Sequence, residues 1–396
     1  MQFTEKLPPM KSLLPLRIVL GLSLAVLIPL SVNAQATLGS RHTYSANYVT
    51  KLDAQNKILG YSFQTPDEPF EVGKVAIVVG EASEPGQAVK VGFQEAVPNG
   101  NEFVPSGSWI DDLTREVILS SPGVKVVEFE KPVTLPGQSS VFLMVEAVGE
   151  GAPVSITHYA AQSASHEDGS APKNSNEIPI FDTAQTPQAT FGVFAESPGG
   201  TVKQWRRQAP IFALQATDGT PWGLPKMAEG TGFGGGSSVL AQEIEIPADA
   251  APFTATDLQL LVRTVFQEGA QAMLKVQVED ASDNRVLGEQ TLPLIGPDQS
   301  GQISGTPYTL LFKPAVTFEP GKKYRLLLQA SDLESPNRIQ FSTAGIAKAF
   351  TDALPGLEKL TAANVSKGLS LSSDGGKTFN AIKEPSHNIY YLFVSE

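Results

Sequence analysis

The sequence predicts an all-β protein made of two tandem antiparallel jelly-roll-like β-sandwich domains. Two observations carry this prediction. Residues 69–79, PFEVGKVAIVV, return at residues 252–262 as PFTATDLQLLV with the apolar residues in step. Along the whole chain, apolar residues also recur at every second position, in short runs that end at Gly, Pro, Asn or Asp. That period is typical of half-buried strands, and a repeat of this length indicates a duplicated sandwich domain.

Residues 1–34 have the pattern of a secretory signal peptide. Three basic residues precede an apolar run at residues 18–32, and Ala34 and Ala36 occupy the small-residue positions of a cleavage site. The run is shorter than the roughly 20 residues that span a bilayer. We therefore expect cleavage after Ala34 or Ala36, and a mature protein that is secreted, periplasmic or at the cell surface without a membrane anchor.

The composition excludes several classes of function. The chain contains no cysteine, which rules out disulfides, a thiolate nucleophile and a lipid-modified cysteine. Its formal net charge is −12, and loss of the basic signal segment makes the mature chain more acidic. An acidic surface repels phosphate backbones and anionic lipids. We expect neither nucleic acid nor a membrane surface as a partner.

The first domain is predicted at residues 35–217, with nine candidate strands separated by turn sequences such as Ser121-Pro122-Gly123. The candidate strands are residues 59–64, 74–79, 88–94, 115–119, 125–129, 141–145, 154–159, 190–195 and 211–216. The polar segment at residues 162–179 predicts a long surface loop.

The second domain is predicted at residues 218–396, and residues 218–238 form its Gly/Pro-rich lead-in or linker. This segment precedes the second copy of the repeat as residues 38–57 precede the first copy. The boundary between the two domains is therefore predicted near Asp218. A free glycine hinge is the alternative interpretation. The repeat extends to the closing strands, where residues 211–214 match residues 389–392.

The second domain resembles a group of known sandwiches through a series of motifs. These are Phe312, the Pro320-Gly321 turn, the strand at residues 324–328, the turn at 372–379 and the aromatic strand at 390–394. Their order is similar to that of jelly-roll domains of bacterial secreted proteins, including carbohydrate-binding-module-like and choice-of-anchor-type domains. The first domain fits this pattern with Ser-Pro-Gly-Gly at residues 197–200 in place of the aspartate turn. The resemblance implies non-catalytic attachment or glycan binding outside the cell.

The sharpest motif, SSDGGKTF at residues 372–379, matches the Asp-box pattern S-x-D-x-G-x-T-[WF]. Its residues are Ser372, Asp374, Gly376, Thr378 and Phe379. The aspartate can accept hydrogen bonds from turn amides, the glycines permit positive φ, and the phenylalanine packs beneath the hairpin. We therefore interpret the motif as a stabilised structural turn.

The candidate ligand-binding residues are tryptophans near carboxylates or basic residues. Trp109 follows a turn sequence and precedes Asp111 and Asp112, while Trp205 lies beside two arginines. An exposed indole can stack on the C–H face of a sugar ring. The alternative is that each tryptophan covers the edge of the sandwich core.

No motif predicts a catalytic, cofactor or metal site. The four histidines lack metal-ligand spacing, and residues 279–284, although rich in oxygen ligands, lack the residue order of a calcium loop. No nucleophile elbow, Walker loop or dinucleotide fingerprint is present.

Three functional hypotheses remain open at the level of the sequence. The first is an exported, non-catalytic binding or surface protein, with glycan as the favoured ligand. The second is a structural or assembly protein that binds protein partners or itself. The third is a polysaccharide-active enzyme with a carboxylate pair, which would need two acids within about 10 Å.

Overall fold

The computed structural model describes most of the chain from residue 37 onward, and Gln35–Glu396 forms one compact unit. The described residues are 37–40, 44–53, 58–80, 86–99, 102–119, 121–148, 154–162, 193–196, 202–205, 208–209, 211–224, 226–233, 237–265, 270–295, 304–333, 337–362, 365–382, 387–389 and 391–395. The predicted signal peptide lies outside them, as does the predicted loop beyond residue 162.

The described chain consists of antiparallel strands and two short helices, which confirms the all-β fold. Up to residue 224 the strands are β1 Thr37–Ser40, β2 Tyr44–Leu52, β3 Ile58–Gln64, β4 Phe70–Val79, β5 Gln87–Asn99, β6 Glu102–Leu119, β7 Gly123–Leu135, β8 Ser140–Val148, β9 Val154–Gln162, β10 Val193–Glu196, β11 Val202–Trp205, β12 Gln208–Ala209, β13 Phe212–Ala216 and β14 Pro221–Leu224. The nine candidate strands of the first domain coincide with or overlap β3 to β10 and β13.

The remaining elements begin at residue 226. They are β15 Lys226–Phe233, β16 Val239–Glu245, β17 Phe253–Val265, β18 Gln271–Asp280, β19 Arg285–Ile295, β20 Ser304–Phe318, β21 Lys323–Ser331, β22 Arg338–Ile346, α1 Lys348–Ala353, α2 Lys359–Ala362, β23 Ser366–Ser372, β24 Asn380–Ala381, β25 Asn388–Ile389 and β26 Tyr391–Val394.

The strands form four antiparallel sheets. Sheet I has the order β11-β10-β3-β8-β5-β6, and sheet II the order β14-β13-β4-β9-β12, with β2 beside β9 and β7 beside β4. Sheet III has the order β24-β23-β16-β21-β18-β19. Sheet IV has the order β1-β26-β17-β22-β15, with β20 beside β17 and β25 beside β22.

Two hydrophobic cores lie between these sheets. One core joins sheet I to sheet II through residues such as Phe63 and Phe212, whose ring centroids are 5.0 Å apart. The other joins sheet III to sheet IV, and Phe318 packs there against Tyr324 at 4.9 Å and Phe393 at 4.8 Å. Each such side chain contributes roughly 1.5–3 kcal/mol when it is fully buried, so these two cores are the main source of stabilisation in a chain without cysteine.

Alternation along single strands explains how the cores form. In β18 every second residue from Ala272 to Val278 is buried and the residues between them are more exposed. Successive side chains of a strand point to opposite faces, so this pattern places one face of β18 in the core.

The predicted match between the two closing strands, β13 and β26, is shifted by one residue from the match that the strand registers show. We call the parts of the chain before and after the predicted boundary at residues 217 and 218 the two halves. Phe212 pairs with Ile77 and Tyr391 pairs with Leu260, so Tyr391 occupies the position of Phe212. The match of residues 389–392 to residues 211–214 places Tyr390 there and is wrong by one residue. Side chains alternate along a strand, and a one-residue slip would turn Tyr391, which is buried, out of the core.

Strand pairing does not follow the predicted boundary at residues 217 and 218. Segment 218–238 holds two strands: β14 pairs with β13 in sheet II, and β15 pairs with β22 in sheet IV. In the same way, β1 pairs with β26 in sheet IV while β2 pairs with β9 in sheet II. The β15–β22 and β1–β26 pairings join residues far apart in the sequence, so they leave no local signal in it.

The two helices cover the outer face of sheet II. Phe350, Leu354 and Leu357, from the connection between β22 and β23, pack against Ala76 and Ile211. A strand of sheet II such as β4 is therefore buried on both faces at its end, and sheet II is not open to a ligand there.

Candidate functional site

The Asp-box segment forms a turn closed by its own side chains. The Ser372 hydroxyl donates to Asp374 Oδ1 at 2.7 Å, and the Thr378 hydroxyl donates to Asp374 Oδ2 at 2.7 Å. The backbone amides of Lys377 and Thr378 both donate to Asp374 Oδ1 at 3.0 Å. Gly376 adopts a φ of 90° and donates its amide to Ser372 Oγ at 2.8 Å. Both oxygens of Asp374 are thus engaged within the turn.

We expect Asp374→Ala to lower stability in a pH-dependent way. The Ser372 hydroxyl, then the Thr378 amide and hydroxyl, hold the pKa of Asp374 well below its ordinary value of 3.8. A lowered pKa stabilises the fold fully above the pKa of the unfolded chain, and that contribution is lost as the pH falls through the folded-state pKa. In urea unfolding, the variant should therefore be less stable than the wild type at pH 7, and the difference should shrink below about pH 4.

The exposed Asp249 provides the control, because Asp249→Ala should change stability little at either pH. An equal loss for Asp374→Ala at pH 7 and at pH 2.5 to 3 would contradict the role of the ionised carboxylate.

Trp109 lies on the outer face of sheet I, where three cross-strand pairs form a small surface. The pairs are Lys90 with Glu146, Gly92 with Met144, and Gln94 with Phe142. A Cβ atom on Gly92 would lie 2.7 Å from Trp109 Cε3, so the indole lies directly on the glycine. We call Trp109 and these six residues the Trp109 face.

Polar groups surround the indole on this face. Lys90 Nζ lies 5.3 Å from the centroid of the Trp109 ring and 2.5 Å from Glu146 Oε2. Gln94 Oε1 accepts a hydrogen bond from the amide of Gly107 at 2.8 Å, which fixes the turn before Trp109. Phe142 and Met144 supply apolar contact. Gln94 itself is buried and engaged in this turn. The half-buried indole therefore lies on Gly92, with Lys90 of the Lys90–Glu146 ion pair over its ring.

Asp111 and Asp112 occupy a bulge in β6 rather than the Trp109 face. Gln94 pairs with Trp109 and Gly92 with Thr114, so β6 carries extra residues between these positions. Both aspartates are exposed and have φ values of 56° and 52°, a left-handed conformation that aspartate tolerates better than most residues. Asp111 Oδ2 accepts a hydrogen bond from the Thr134 amide of β7 at 3.0 Å, so this carboxylate joins the edges of two sheets.

Trp205 is not brought together with Trp109. It ends β11, and β11 and β6 form opposite edges of sheet I. Five strand spacings separate the two positions, which is about 24 Å. The side chain of Trp205 lies outside the described residues.

The corresponding face of sheet III holds a charged network that sequence reasoning missed. Arg325 Nε donates to Glu243 Oε1 at 3.2 Å and its Nη1 donates to Glu279 Oε1 at 3.1 Å. Ser370 Oγ donates to the same Glu243 oxygen, and Arg325 Cζ lies 5.3 Å from the centroid of the Phe379 ring. The only signal in the sequence is an arginine inside an apolar strand; its partners lie on other strands and cannot be assigned from it.

The residues considered for calcium are engaged in a tight turn. Asp280 Oδ1 accepts hydrogen bonds from the Ser282 hydroxyl at 2.6 Å and the Ser282 amide at 3.0 Å, and these bonds lower the pKa of Asp280. Within the described ranges, no group of three or more His, Cys, Asp or Glu side chains is arranged to hold a metal ion. Over the same ranges, no helix is long and apolar enough to cross a membrane.

No protein-family model matches the chain, and no curated protein matches it. Among solved structures, it is similar to infectious bursal disease virus of the Gt strain, at 8% identity with a TM-score of 0.15, over 91% of this chain and 81% of that chain. The VP2 subviral particle of the same virus gives 8% identity and a TM-score of 0.16, over 91% and 82%. The tandem CBM22-1-CBM22-2 domain of Paenibacillus barcinonensis Xyn10C gives 14% identity and a TM-score of 0.09, over 75% and 86%. These scores are too low to support an argument about function.

Proposed function

We propose that the protein is an exported, non-catalytic binding protein that holds glycan on the Trp109 face. The observation that carries this proposal is the position of the indole, which lies on Gly92 with Lys90, Glu146 and Gln94 around it. A sugar ring presents C–H groups to an aromatic face and hydroxyls at its rim. The indole suits the first, and the partly exposed Lys90–Glu146 ion pair suits the second.

The position of this face in the sandwich supports the proposal. The connection that holds the two helices covers part of the outer face of sheet II, whereas the outer-face cluster described for sheet I consists of that sheet's own side chains, with the Trp109 indole half-buried. The face also differs between the halves, since Arg325 stands in sheet III at the position that Phe142 has in sheet I. We therefore expect one of two outcomes. Either the outer faces of sheets I and III recognise different ligands, or only one of these faces binds a ligand.

We further propose that the halves are copies of one jelly-roll domain of the carbohydrate-binding-module-like kind. The strand order of sheet I matches that of sheet III, and the order β14-β13-β4-β9 matches β1-β26-β17-β22. The apolar repeat at residues 69–79 and 252–262 falls on the matched strands β4 and β17. Duplication of a complete domain accounts for both observations.

We expect Trp109→Ala to weaken glycan binding at least tenfold, which is about 1.4 kcal/mol or more. A glycan array and pulldown on insoluble polysaccharides would first find the ligand, and isothermal titration would give the affinities. Gly92→Val should have a comparable effect, because the new side chain would push the indole off the sheet without removing it. A Cβ atom there would also lie 3.0 Å from the Leu113 carbonyl oxygen, so circular dichroism and urea unfolding of Gly92→Val must show a folded protein before its affinity is compared.

Gly73→Ala is the matched control, since a Cβ atom there meets ordinary contacts from 3.6 Å outward and the residue lies in sheet II. It should bind like the wild type. Blank arrays for the wild-type protein, or equal affinities for the wild type and Trp109→Ala, would overturn the proposal.

A second candidate, an assembly protein, is favoured by exposed apolar side chains on the edge strand β6. Ile118 is 69% exposed and Phe103 is 45% exposed. Exposed apolar residues on an edge strand favour contact with another chain. In sedimentation velocity, self-association that Ile118→Ser abolishes would favour this candidate.

A further inference from the structure

Each half of the protein is completed by a strand from the other side of the predicted boundary, in the same register. Gly223 of β14 pairs with Ala213 of β13, and Gly39 of β1 pairs with Leu392 of β26. The residue before each glycine faces a core: Trp222 contacts the core between sheets I and II, and Leu38 contacts the core between sheets III and IV. β1 and β14 therefore occupy equivalent edge positions, which we call slots: β14 lies beside β13, and β1 lies beside β26.

Both slots select for an apolar residue followed by glycine. A Cβ atom on Gly39 would lie 2.3 Å from the carbonyl oxygen of Tyr391, and one on Gly223 would lie 2.9 Å from that of Phe212. These glycines have φ values of 151° and 116°, a region that other residues seldom adopt. The edge of β26 is thus a built acceptor for a short strand with this pattern.

The two slots differ in how their strand is tethered. β14 follows β13 directly in a hairpin whose turn is closed by the Thr220 amide bonding to Asp218 Oδ1 at 2.8 Å. β1 is joined locally to β2 in sheet II but pairs with the opposite end of the chain, since residue 39 lies beside residue 392. Closing a local turn costs little entropy and aligns β14 directly with its partner β13, so we expect β14 to pair within its own chain. The connection from β1 leads to β2 in another sheet and does not itself align β1 with β26.

We propose that the β26 edge also accepts β1 from a second copy of this chain, so that copies associate by exchanging their first strands. The exchanged strand makes the same hydrogen bonds and places the same leucine in the core, so the two states have nearly equal contact energy. Concentration then sets the balance, as in domain swapping. A short tether gives an effective concentration in the millimolar range, so exchange is expected to compete as protein concentration approaches about 1 mM.

Cysteine pairs placed in the cysteine-free chain test this proposal. Thr37 and Val394 face each other in the β1–β26 register, and directly opposite residues lie within disulfide reach. Full-length Thr37→Cys and Val394→Cys proteins are mixed from micromolar to about 1 mM, oxidised, and analysed for the 37–394 linkage by mass spectrometry. The equivalent pair in the hairpin, Gln215→Cys mixed with Pro221→Cys, is the matched control.

We expect the 37–394 linkage between chains to rise with concentration and to exceed the 215–221 linkage at least tenfold at the highest concentration. Wild-type protein should also self-associate in sedimentation experiments, and Gly39→Val should abolish this association because valine does not fit the slot. A 37–394 yield no higher than the control yield would overturn the proposal. So would a wild-type protein that remains monomeric throughout the concentration range.

Discussion

Gly223→Val is expected to lower the free energy of unfolding by roughly 3–5 kcal/mol. The φ of 116° is strained for any β-branched residue, and the new side chain would overlap the carbonyl oxygen of Phe212. Displacing β14 would also withdraw Trp222, which packs on Phe70 at a centroid distance of 6.5 Å and donates its indole N–H to the Gln64 carbonyl at 3.3 Å. Urea unfolding at equilibrium measures the loss.

Gly219→Ala separates backbone strain from loss of the strand. Gly219 has a φ of 84° but no atom within 4 Å of a Cβ at that position, so only the conformational cost of about 1 kcal/mol should appear. If both variants lost the same amount, the close approach of β14 to β13 would not be the source of the effect.

Gln242→Leu is expected to cost about 3 kcal/mol, although leucine has a similar size. The side-chain amide of Gln242 donates to the Gly368 carbonyl at 3.0 Å and to Asn388 Oδ1 at 2.7 Å, and its Oε1 accepts from the Ile389 amide at 3.0 Å. All of these groups are buried, so leucine would leave their polar atoms in the core without these hydrogen bonds. Thermal or urea unfolding would measure the loss.

Tyr61→Phe is the matched control, because Tyr61 of β3 occupies the position that Gln242 has in β16. Among the described residues its buried hydroxyl has no hydrogen-bond partner, and burial raises its pKa. Removing that hydroxyl should leave stability unchanged or raise it by up to about 1 kcal/mol. A stabilising Gln242→Leu substitution, or a costly Tyr61→Phe substitution, would show that the two buried polar groups have been assigned the wrong roles.

The sequence predicted features that depend on local pattern. Alternation identified the strands, and the repeated stretch correctly matched Val75 and Ile77 to Leu258 and Leu260, which occupy the same positions against β13 and β26. The spacing within the Asp box matched a turn whose partners all lie within a few residues of Asp374.

Features that depend on long-range pairing could not be predicted in this way. The pairing of β1 with β26 is decided by which edge a four-residue strand meets, and that edge is far away in the sequence. The contact of Trp109 with Gly92 requires the register between β5 and β6, and the bulge that turns Asp111 toward β7 breaks the alternation from which that register would be inferred. Arg325 likewise meets its glutamates only after three strands align.

Nuclear magnetic resonance of the three tryptophan indoles tests the central claim most directly. The chain has three tryptophans, so its indole Nε1–H groups give three assignable signals. When a glycan identified on the array is titrated, we expect the Trp109 signal to shift, whereas that of Trp222, whose indole N–H is bonded to the Gln64 carbonyl, should stay in place. A Trp109 signal that stays in place at saturating glycan would contradict the assignment of the Trp109 face as the binding site.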